Sequence, residues 1–200
     1  MKFNCLVTGI GGQGSSLITR IIGTAALANG IDVCGSETSL RQGCASVSHL
    51  RLGQNINSPL IPQGKAHLII ALDPAEAVRC HSFLSAAGSL LVLDRAAAGS
   101  ENYDAAEMLE FLNTCMSRQP TDHYDRKHEV SRFEIIDTER LIEKCGSSAV
   151  LNVALLGIAV GKKFIPFSSE DIVAALTKQL PAETLDTNIR AFNAGRDLEE

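Results

Sequence analysis

The 200-residue chain contains no tryptophan and only two tyrosines, and its formal net charge at pH 7 is −5. A nucleic-acid surface normally needs a basic stripe or stacking aromatic side chains, so this composition argues against one. The longest apolar runs, such as 66–72, are too short to cross a bilayer. The residues before Gly9 also lack the apolar core of a secretory signal. We therefore expect a cytoplasmic protein that binds small molecules or proteins, but neither nucleic acid nor a membrane.

Metal-binding cysteine pairs are also missing from the sequence. The six cysteines are scattered without any CxxC or CxxxC spacing, so neither an iron–sulfur cluster nor a zinc site has its usual ligands. We predict that all six are reduced thiols and that the chain has no metal site. His123, Asp125 and His128 have a spacing that metal ligands use. They lie in the polar stretch 95–130, however, which favours a solvated loop.

Strand-like and helix-like patterns alternate along the chain. Residues 2–8 form an apolar run that stops at glycine, and 15–29 carry apolar side chains at helical spacing. Further strands are predicted at 31–36, 47–52, 66–72, 89–93 and 133–136, and further helices after Asp73-Pro74, at 108–116 and from 137. This rhythm is typical of doubly wound sheets. We therefore predict an α/β fold, Rossmann-like and three-layered (α/β/α), with a mostly parallel sheet.

The last third of the chain is predicted to be helical. Residues 147–162 are apolar on most faces, which indicates a buried helix. Ser168-Ser169-Glu170-Asp171 supplies helix-starting residues, and 186–198 has the pattern of a polar terminal helix. No repeat or low-complexity linker interrupts the sequence. We predict a single domain over 1–200 with a helical C-terminal part at 146–200.

A glycine-rich segment, 9–14, follows the first predicted strand and precedes the first predicted helix. This is the context that a phosphate-binding GxGxxG turn requires. Glycines permit positive φ and close approach of a ligand, and unpaired N–H groups at the start of a helix attract anions. The residues predicted to hold a phosphate group are Gly9, Gly11, Gly12, Gln13, Gly14 and Ser15. In the alternative, the glycines only permit close packing of the helix on the strand.

Two charged residues near the end of the second predicted strand join these candidates. Glu37 lies where a nicotinamide-binding domain has the acid that holds a ribose hydroxyl, so an NAD(P)-dependent dehydrogenase is one alternative. Against it, another glycine-bearing loop follows Glu37 rather than a helix. Arg41 in that loop can neutralise a phosphate or carboxylate through its planar guanidinium. A solvated position without a ligand is the alternative for both residues.

The sequence gives little support for any catalytic residue. Cys44 lies close to Arg41, and a nearby cation lowers the pKa of a thiol, but no acyl-transfer motif surrounds this cysteine. His49, His67 and His81 stand in patterns that favour structural histidines. No catalytic residue is therefore assigned.

Several motifs together resemble the gamma subunit or domain of 2-oxoacid:ferredoxin oxidoreductases, most closely in the indolepyruvate branch of that family. The first hundred residues carry the specific part. The motifs are the GxGGQG turn, Gly35-Ser36-Glu37, Ser48-His49-Leu50-Arg51-Leu52-Gly53, Ser58-Pro59-Leu60-Ile61-Pro62 and Ala71-Leu72-Asp73-Pro74-Ala75-Glu76-Ala77. Weaker matches follow at Asn152, Leu155-Leu156-Gly157, Asn188 and Ala191-Phe192-Asn193-Ala194-Gly195. Arg41-Gln42-Gly43-Cys44 departs from the family's usual Gln-Arg-Gly-Gly.

The resemblance implies a role in the oxidative decarboxylation of 2-oxoacids, such as indolepyruvate or pyruvate, with coenzyme A and ferredoxin. Members of this family use thiamine diphosphate and iron–sulfur clusters that are held largely on other subunits or domains. This chain has neither a GDG-type thiamine diphosphate segment nor a cluster-binding cysteine run. We therefore expect that it binds none of these cofactors alone and needs a catalytic partner subunit that carries them and reduces ferredoxin. A ligand-free interaction module is a further alternative.

Overall fold

A six-stranded sheet forms the centre of the computed structural model, which describes residues 2–38, 43–95, 104–117 and 132–198. The strands are β1 (Lys2–Ile10), β2 (Val33–Thr38), β3 (Ala45–Gly53), β4 (Ala66–Ala71), β5 (Leu84–Leu93) and β6 (Arg132–Ile136). The helices are α1 (Ser15–Ala28), α2 (Pro74–Cys80), α3 (Ala105–Ser117), α4 (Thr138–Cys145), α5 (Leu151–Gly161), α6 (Ser169–Gln179) and α7 (Ala182–Arg196). Two short 3₁₀ turns, His81–Phe83 and Ser148–Val150, lie between them.

The strand order across the sheet is β2-β3-β1-β4-β5-β6. The pairs β1–β4, β4–β5 and β5–β6 are parallel, whereas β3 pairs antiparallel with both β1 and β2. The predicted, mostly parallel sheet is therefore confirmed, with β3 as its one reversed strand. The connection from β2 to β3 spans only 39–44, which is too short for the crossover of a dozen or more residues that parallel strands need.

Helices cover both faces of the sheet, as the three-layer prediction requires. Alternation along β1 shows the division, because Cys5 and Val7 enter one apolar cluster and Leu6 enters the other. The cluster around Cys5 contains the buried faces of α1, α5 and α6, whereas the cluster around Leu6 contains those of α2 and α3. Strands that are buried on both faces explain the continuous apolar runs in the sequence.

The predicted buried helix in the C-terminal third is α5, in which every residue from Asn152 to Val160 is buried. It packs against α7 at backbone contact. A Cβ atom on Gly157 would collide with the carbonyl oxygen of Phe192, and one on Gly195 would collide with that of Ala154. The α6 N-terminus carries the predicted capping box between Ser168 and Asp171. The terminal helix begins at Ala182, four residues before the predicted start, directly after a proline.

Within the described ranges, no single helix is long and apolar enough to cross a membrane. Only α4 together with Ser148–Gly161 reaches that length and composition, and this pair is bent by 102°.

Candidate phosphate site at the glycine loop

The glycine loop, residues 11–14, joins the end of β1 to the start of α1. Gly12 and Gly14 have φ angles of 105° and 86°, which side chains rarely adopt. Gly14 is the N-cap of α1, and no side chain caps this helix. The backbone N–H groups of Gly12, Gly14 and Ser15 have no hydrogen-bond partner among the described residues. These unpaired donors at a helix start fit an anion.

Gln13 holds the loop in this shape through both ends of its side-chain amide. Oε1 accepts a hydrogen bond from the backbone N–H of Ile10 at 2.6 Å, and Nε2 donates to the carbonyl oxygen of Leu72 at 2.9 Å. The amide of Gln13 is thus engaged within the chain. Its role in this structure is to fix the glycine loop against the end of β4.

The loop between β2 and β3 lies directly against the glycine loop. The N–H of Gly11 donates to the carbonyl oxygen of Cys44 at 2.7 Å, and the N–H of Gly43 donates to that of Gly11 at 3.1 Å. This contact extends the β1–β3 ladder beyond its last pair, Ile10 with Ala45. The second loop therefore contacts the glycine loop at 43–44, whereas Arg41 lies outside the described residues.

Hydroxyl groups in the first turn of α1 make contacts within the chain. The hydroxyl of Ser15, which is buried, lies 2.9 Å from that of Ser46 on β3. Ser16 donates to Glu37 at 2.9 Å, and Thr19 donates to the other carboxylate oxygen at 3.4 Å. Glu37 therefore ties the edge strand β2 to α1.

The position of Glu37 in the sheet argues against a dinucleotide site. In a nicotinamide-binding fold, the ribose-binding acid ends the strand next to the one that leads into the glycine loop. Here β3 lies between β1 and β2, so Glu37 is two strands away from β1. With strands about 4.8 Å apart, the acid lies about 10 Å from β1, which is two strand spacings rather than one.

Gly9, the first glycine of the predicted motif, lies close to Gln13 and Leu72. This packing leaves no room for a side chain at position 9.

A cavity of about 510 Å³ lies beside the glycine loop, at the carboxyl edge of the parallel strands. Gly11, Gly12 and Gln13 line one side of it, and Arg95 and Thr138 line another. Open α/β sheets bind ligands in a crevice at the carboxyl ends of their strands, at the point where the strand order reverses. In this sheet that point lies between β1 and β4. The volume is within the usual range for a small-molecule site.

Arg95 and Thr138 are cavity residues that the sequence analysis missed. Arg95 forms an ion pair of 2.6 Å with Glu139, and this hydrogen bond raises the pKa of Arg95 above its usual value. Thr138 is buried at the start of α4, and its hydroxyl has no partner among the described residues. Both follow strands β5 and β6, and the meeting of parallel strand ends at one edge is the signal that could have found them.

Asn152 is a third residue whose position the structure explains. Its side chain donates to the carbonyl oxygen of Gly14 at 3.4 Å, and a Cβ on Gly14 would collide with its amide nitrogen. The buried helix α5 therefore supports the N-cap of α1 directly. A side chain at position 14 is excluded both by φ and by this contact.

A buried polar group lies close to the end of β1. Glu76 is only 3 % exposed, one of its oxygens has no partner among the described residues, and Arg79 approaches the other at 3.6 Å. Burial raises the pKa of the Glu76 carboxyl above its usual value. The thiol of Cys80 donates to the hydroxyl of Thr8 at 3.6 Å, and burial raises its pKa as well.

The histidines and cysteines of the described residues form no metal site. No group of three or more His, Cys, Asp or Glu side chains there could hold a metal ion. His49 accepts a hydrogen bond from the N–H of Ile61 at 3.2 Å and packs edge-on against Phe83. Its pKa is lowered by burial, as expected for a structural histidine. The His123, Asp125 and His128 cluster lies outside the described residues.

Comparison with known proteins agrees with this architecture. The family model for pyruvate ferredoxin/flavodoxin oxidoreductase matches residues 4–198. The chain belongs to this family. Its similarity to curated members extends over nearly the full length: the indolepyruvate oxidoreductase subunit IorB of Archaeoglobus fulgidus is 31% identical, over 98% of this chain and 94% of the relative. The corresponding subunit of Thermococcus kodakarensis is 28% identical over 97% of this chain and 94% of that relative.

Solved structures of family members share the fold. The pyruvate oxidoreductase subunit PORC of Thermotoga maritima matches with a TM-score of 0.67 and 19% identity, over 98% of this chain and 96% of that one. A 2-oxoglutarate:ferredoxin oxidoreductase chain of Magnetococcus marinus, solved with coenzyme A bound, matches with a TM-score of 0.66 and 15% identity. This chain covers 30% of the Magnetococcus chain and 98% of its own length.

Family membership confirms the resemblance predicted from the sequence. The chain is a subunit of a 2-oxoacid:ferredoxin oxidoreductase, related to the indolepyruvate subunits named IorB. The family match and the sheet order both favour this function over a dehydrogenase of the nicotinamide-binding type.

Proposed function

We propose that this chain is the subunit of an indolepyruvate-type 2-oxoacid:ferredoxin oxidoreductase that holds a phosphate of coenzyme A at its glycine loop. The complex converts a 2-oxoacid anion, coenzyme A and two oxidised ferredoxins into acyl-CoA, carbon dioxide, a proton and two reduced ferredoxins. The larger partner subunit carries thiamine diphosphate and iron–sulfur clusters, and the complex works in the cytoplasm. The 2-oxoacid is assigned from the relatives named as indolepyruvate oxidoreductase subunits.

The uncapped start of α1 carries this proposal. Three backbone N–H groups in the loop lack partners among the described residues, and one of these residues, Gly12, lines the cavity of about 510 Å³. Gln13 and Asn152 fix the loop in advance, so little conformational entropy is lost when an anion binds. Arg95 also lines the cavity, where its guanidinium is paired with Glu139. Bound coenzyme A supplies the thiol that accepts the acyl group.

A division of labour between subunits follows from what the chain offers. Its cysteines lack cluster spacing, and burial raises the pKa of the Cys5 thiol to about 12, which keeps it protonated and unreactive. The chain therefore contributes binding and orientation, while electron transfer takes place on the partner. We expect the isolated chain to be inactive with 2-oxoacids and any electron acceptor.

The test is a pair of glycine variants in the complex reconstituted with its larger subunit. Gly12→Val places a side chain at φ 105° in the loop and blocks close approach of a phosphate. Each charge-assisted hydrogen bond that is lost costs about 1.5–3 kcal/mol, so the affinity for coenzyme A should fall at least tenfold. Gly64→Ala is the matched control, because Gly64 has φ 68° and open space around it.

Isothermal titration with coenzyme A and dephospho-coenzyme A shows which phosphate the loop holds. If it holds the 3′-phosphate, the native complex discriminates between the two ligands and the Gly12→Val complex does not. A folded Gly12→Val complex with native affinity for both ligands and native turnover would show that the glycines serve only helix–strand packing.

A further inference from the structure

A second cleft lies at the amino edge of the parallel strands, at the opposite end of β1 from the glycine loop. Its volume is about 490 Å³. Ser89 in β5 pairs in register with Leu68 in β4 and with Arg132 in β6, so three adjacent strands meet there. Lys163 and Phe164, which follow the C-cap of α5, complete the wall. The lining residues are Phe3, His67, Ala87, Ser89, Arg132, Lys163 and Phe164.

The polar side chains of this amino-edge cleft are hydrogen-bond donors. Arg132 and Lys163 are exposed, and neither has a carboxylate partner in the described part of the chain. Ser89 is only 7 % exposed, and its hydroxyl has no hydrogen-bond partner there either. His67 accepts a hydrogen bond from the N–H of Asn4 at Nδ1, at 2.9 Å, so its Nε2 carries the proton. The cleft therefore offers two cations and two neutral donors.

One carboxylate close to the cleft, that of Glu134, is already paired. Glu134, two residues after Arg132 on β6, forms an ion pair of 3.2 Å with Lys162. Lys162 and Lys163 are adjacent in the chain, yet only Lys162 serves this pair. Lys163 is left for another partner.

Lys163 adopts a backbone conformation that normally requires glycine. Its φ is 58°, in the left-handed region. It occupies the position after the C-cap of α5, where its N–H donates to Val160 and that of Phe164 donates to Ala159, the hydrogen bonds of a Schellman motif. Glycine is the preferred residue at this position because a Cβ is unfavourable there. A lysine that carries this strain indicates a function for its side chain.

Aromatic rings hold the donors in place. The ring of Phe3 stacks on His67 with centroids 5.6 Å apart, and the guanidinium of Arg132 lies 5.7 Å from the centre of the Phe164 ring. Stacking on an aromatic face orients a guanidinium while its N–H groups remain available. Both phenylalanines also give the cleft an apolar surface.

We propose that this amino-edge cleft binds the phosphate group of a small monoester, a ligand distinct from the one at the glycine loop. Two cations and two neutral donors match a dianion that carries three terminal oxygens, whereas a carboxylate has one charge and two oxygens. The cleft has the volume of a small-molecule site and is larger than a phosphate alone. The body of the monoester lies against Phe3 and Phe164.

The experiment titrates the full chain with inorganic phosphate and with phenyl phosphate at constant ionic strength, and it follows binding through the NMR signals of His67, which lines this cleft and not the glycine-loop cavity. Both probes should bind, and phenyl phosphate should bind more tightly because its ring contacts the aromatic walls. Equal affinity for the two probes would assign free phosphate as the ligand with the same donors. The NMR signals of His67 should shift on binding, and its pKa, which partial burial lowers in the free chain, should rise beside the anion.

Two variants and one control test the residues. Lys163→Gly should weaken phosphate binding at least tenfold while Tm stays unchanged or rises by about 2 °C, because the left-handed strain is removed. Arg132→Gln should weaken binding similarly. Arg190→Gln, at an exposed arginine on α7, should leave it unchanged.

Three results would overturn the proposal. One is that phosphate produces no shift of the His67 signals in the folded native chain, and another is native affinity at this cleft in Lys163→Gly. The third is a loss of association with the larger subunit in both variants without any effect on phosphate, which would identify the cleft as a subunit contact. Failure of the glycine-loop proposal would leave all of these measurements unaffected.

Discussion

The side chain of Gln13 donates a hydrogen bond to the carbonyl oxygen of Leu72 at 2.9 Å, joining the glycine loop to the end of β4. These residues are far apart in the sequence, and they bring together the two parallel strands that border the candidate phosphate cavity. In a glycine turn, a polar side chain can contact a bound ligand. Here the Gln13 amide instead pairs with the N–H of Ile10 and the carbonyl oxygen of Leu72, two backbone groups that the turn does not pair itself.

Gln13→Ala should destabilise the protein by about 1–3 kcal/mol, because it leaves the N–H of Ile10 and the carbonyl of Leu72 without their partner. Urea denaturation followed by circular dichroism measures this change. Coenzyme A affinity of the complex should fall as well, since the loop loses its fixed shape. Gln54→Ala, at an exposed glutamine, is the control and should be neutral. Equal stabilities of the two variants would show that the two hydrogen bonds of the Gln13 side chain do not stabilise the protein.

Glu76→Gln should change the pH dependence of stability. The raised pKa of Glu76 means that the folded chain keeps this proton while the unfolded chain releases it above the ordinary value of 4.5. Native stability from this group is therefore complete below pH 4.5 and declines as the pH rises through the raised pKa. Arg79 reduces the shift but does not reverse it.

The measured quantity is the difference in unfolding free energy between Glu76→Gln and the native chain, from pH 4 to 8. It should move in favour of the variant as the pH rises and then level off. Taking the difference removes the contribution of every titrating group that the two proteins share. A difference that is independent of pH would mean that the carboxyl ionises alike in the folded and unfolded chain.

Gly157→Ala should destabilise the protein by about 1–3 kcal/mol or more, because the new methyl group collides with the backbone of α7 and neither helix can move freely. Gly23→Ala is the matched control. Gly23 also lies within a helix, but a Cβ there meets Val33 at 3.5 Å, an ordinary contact. The control should gain up to about 1 kcal/mol from helix propensity. Similar effects of both variants in urea denaturation would contradict the close packing of α5 on α7.

Local signals explain why most of the fold could be predicted from the sequence. Asp73 caps α2 through hydrogen bonds to the next turn, and Ser168 with Asp171 caps α6, so both helix starts depend on residues a few positions apart. The direction of β3 depends on pairing between distant segments, and alternation along a strand does not report it. Only the short 39–44 connection carried that information.

In the candidate site, too, the residues that are contiguous in sequence could be predicted, and those that the fold brings together could not. The glycine turn is contiguous in sequence, so its motif predicted the loop and the helix that follows. Arg95, Thr138 and Asn152 reach the same cavity or loop from distant positions, because the order of the strands brings their ends together. Lys163 has no sequence signal, since nothing local predicts a lysine where a helix normally ends at glycine.

Cys44 gives the free chain a natural attachment point for a reporter group. Cys44 is exposed, whereas the other five cysteines are buried or half-buried. Burial raises the pKa of Cys5, Cys80 and Cys145. A maleimide dye at neutral pH should therefore label Cys44 first. Because the carbonyl of this residue is bonded to Gly11, the dye would report ligand arrival at the glycine loop by fluorescence without any engineered cysteine.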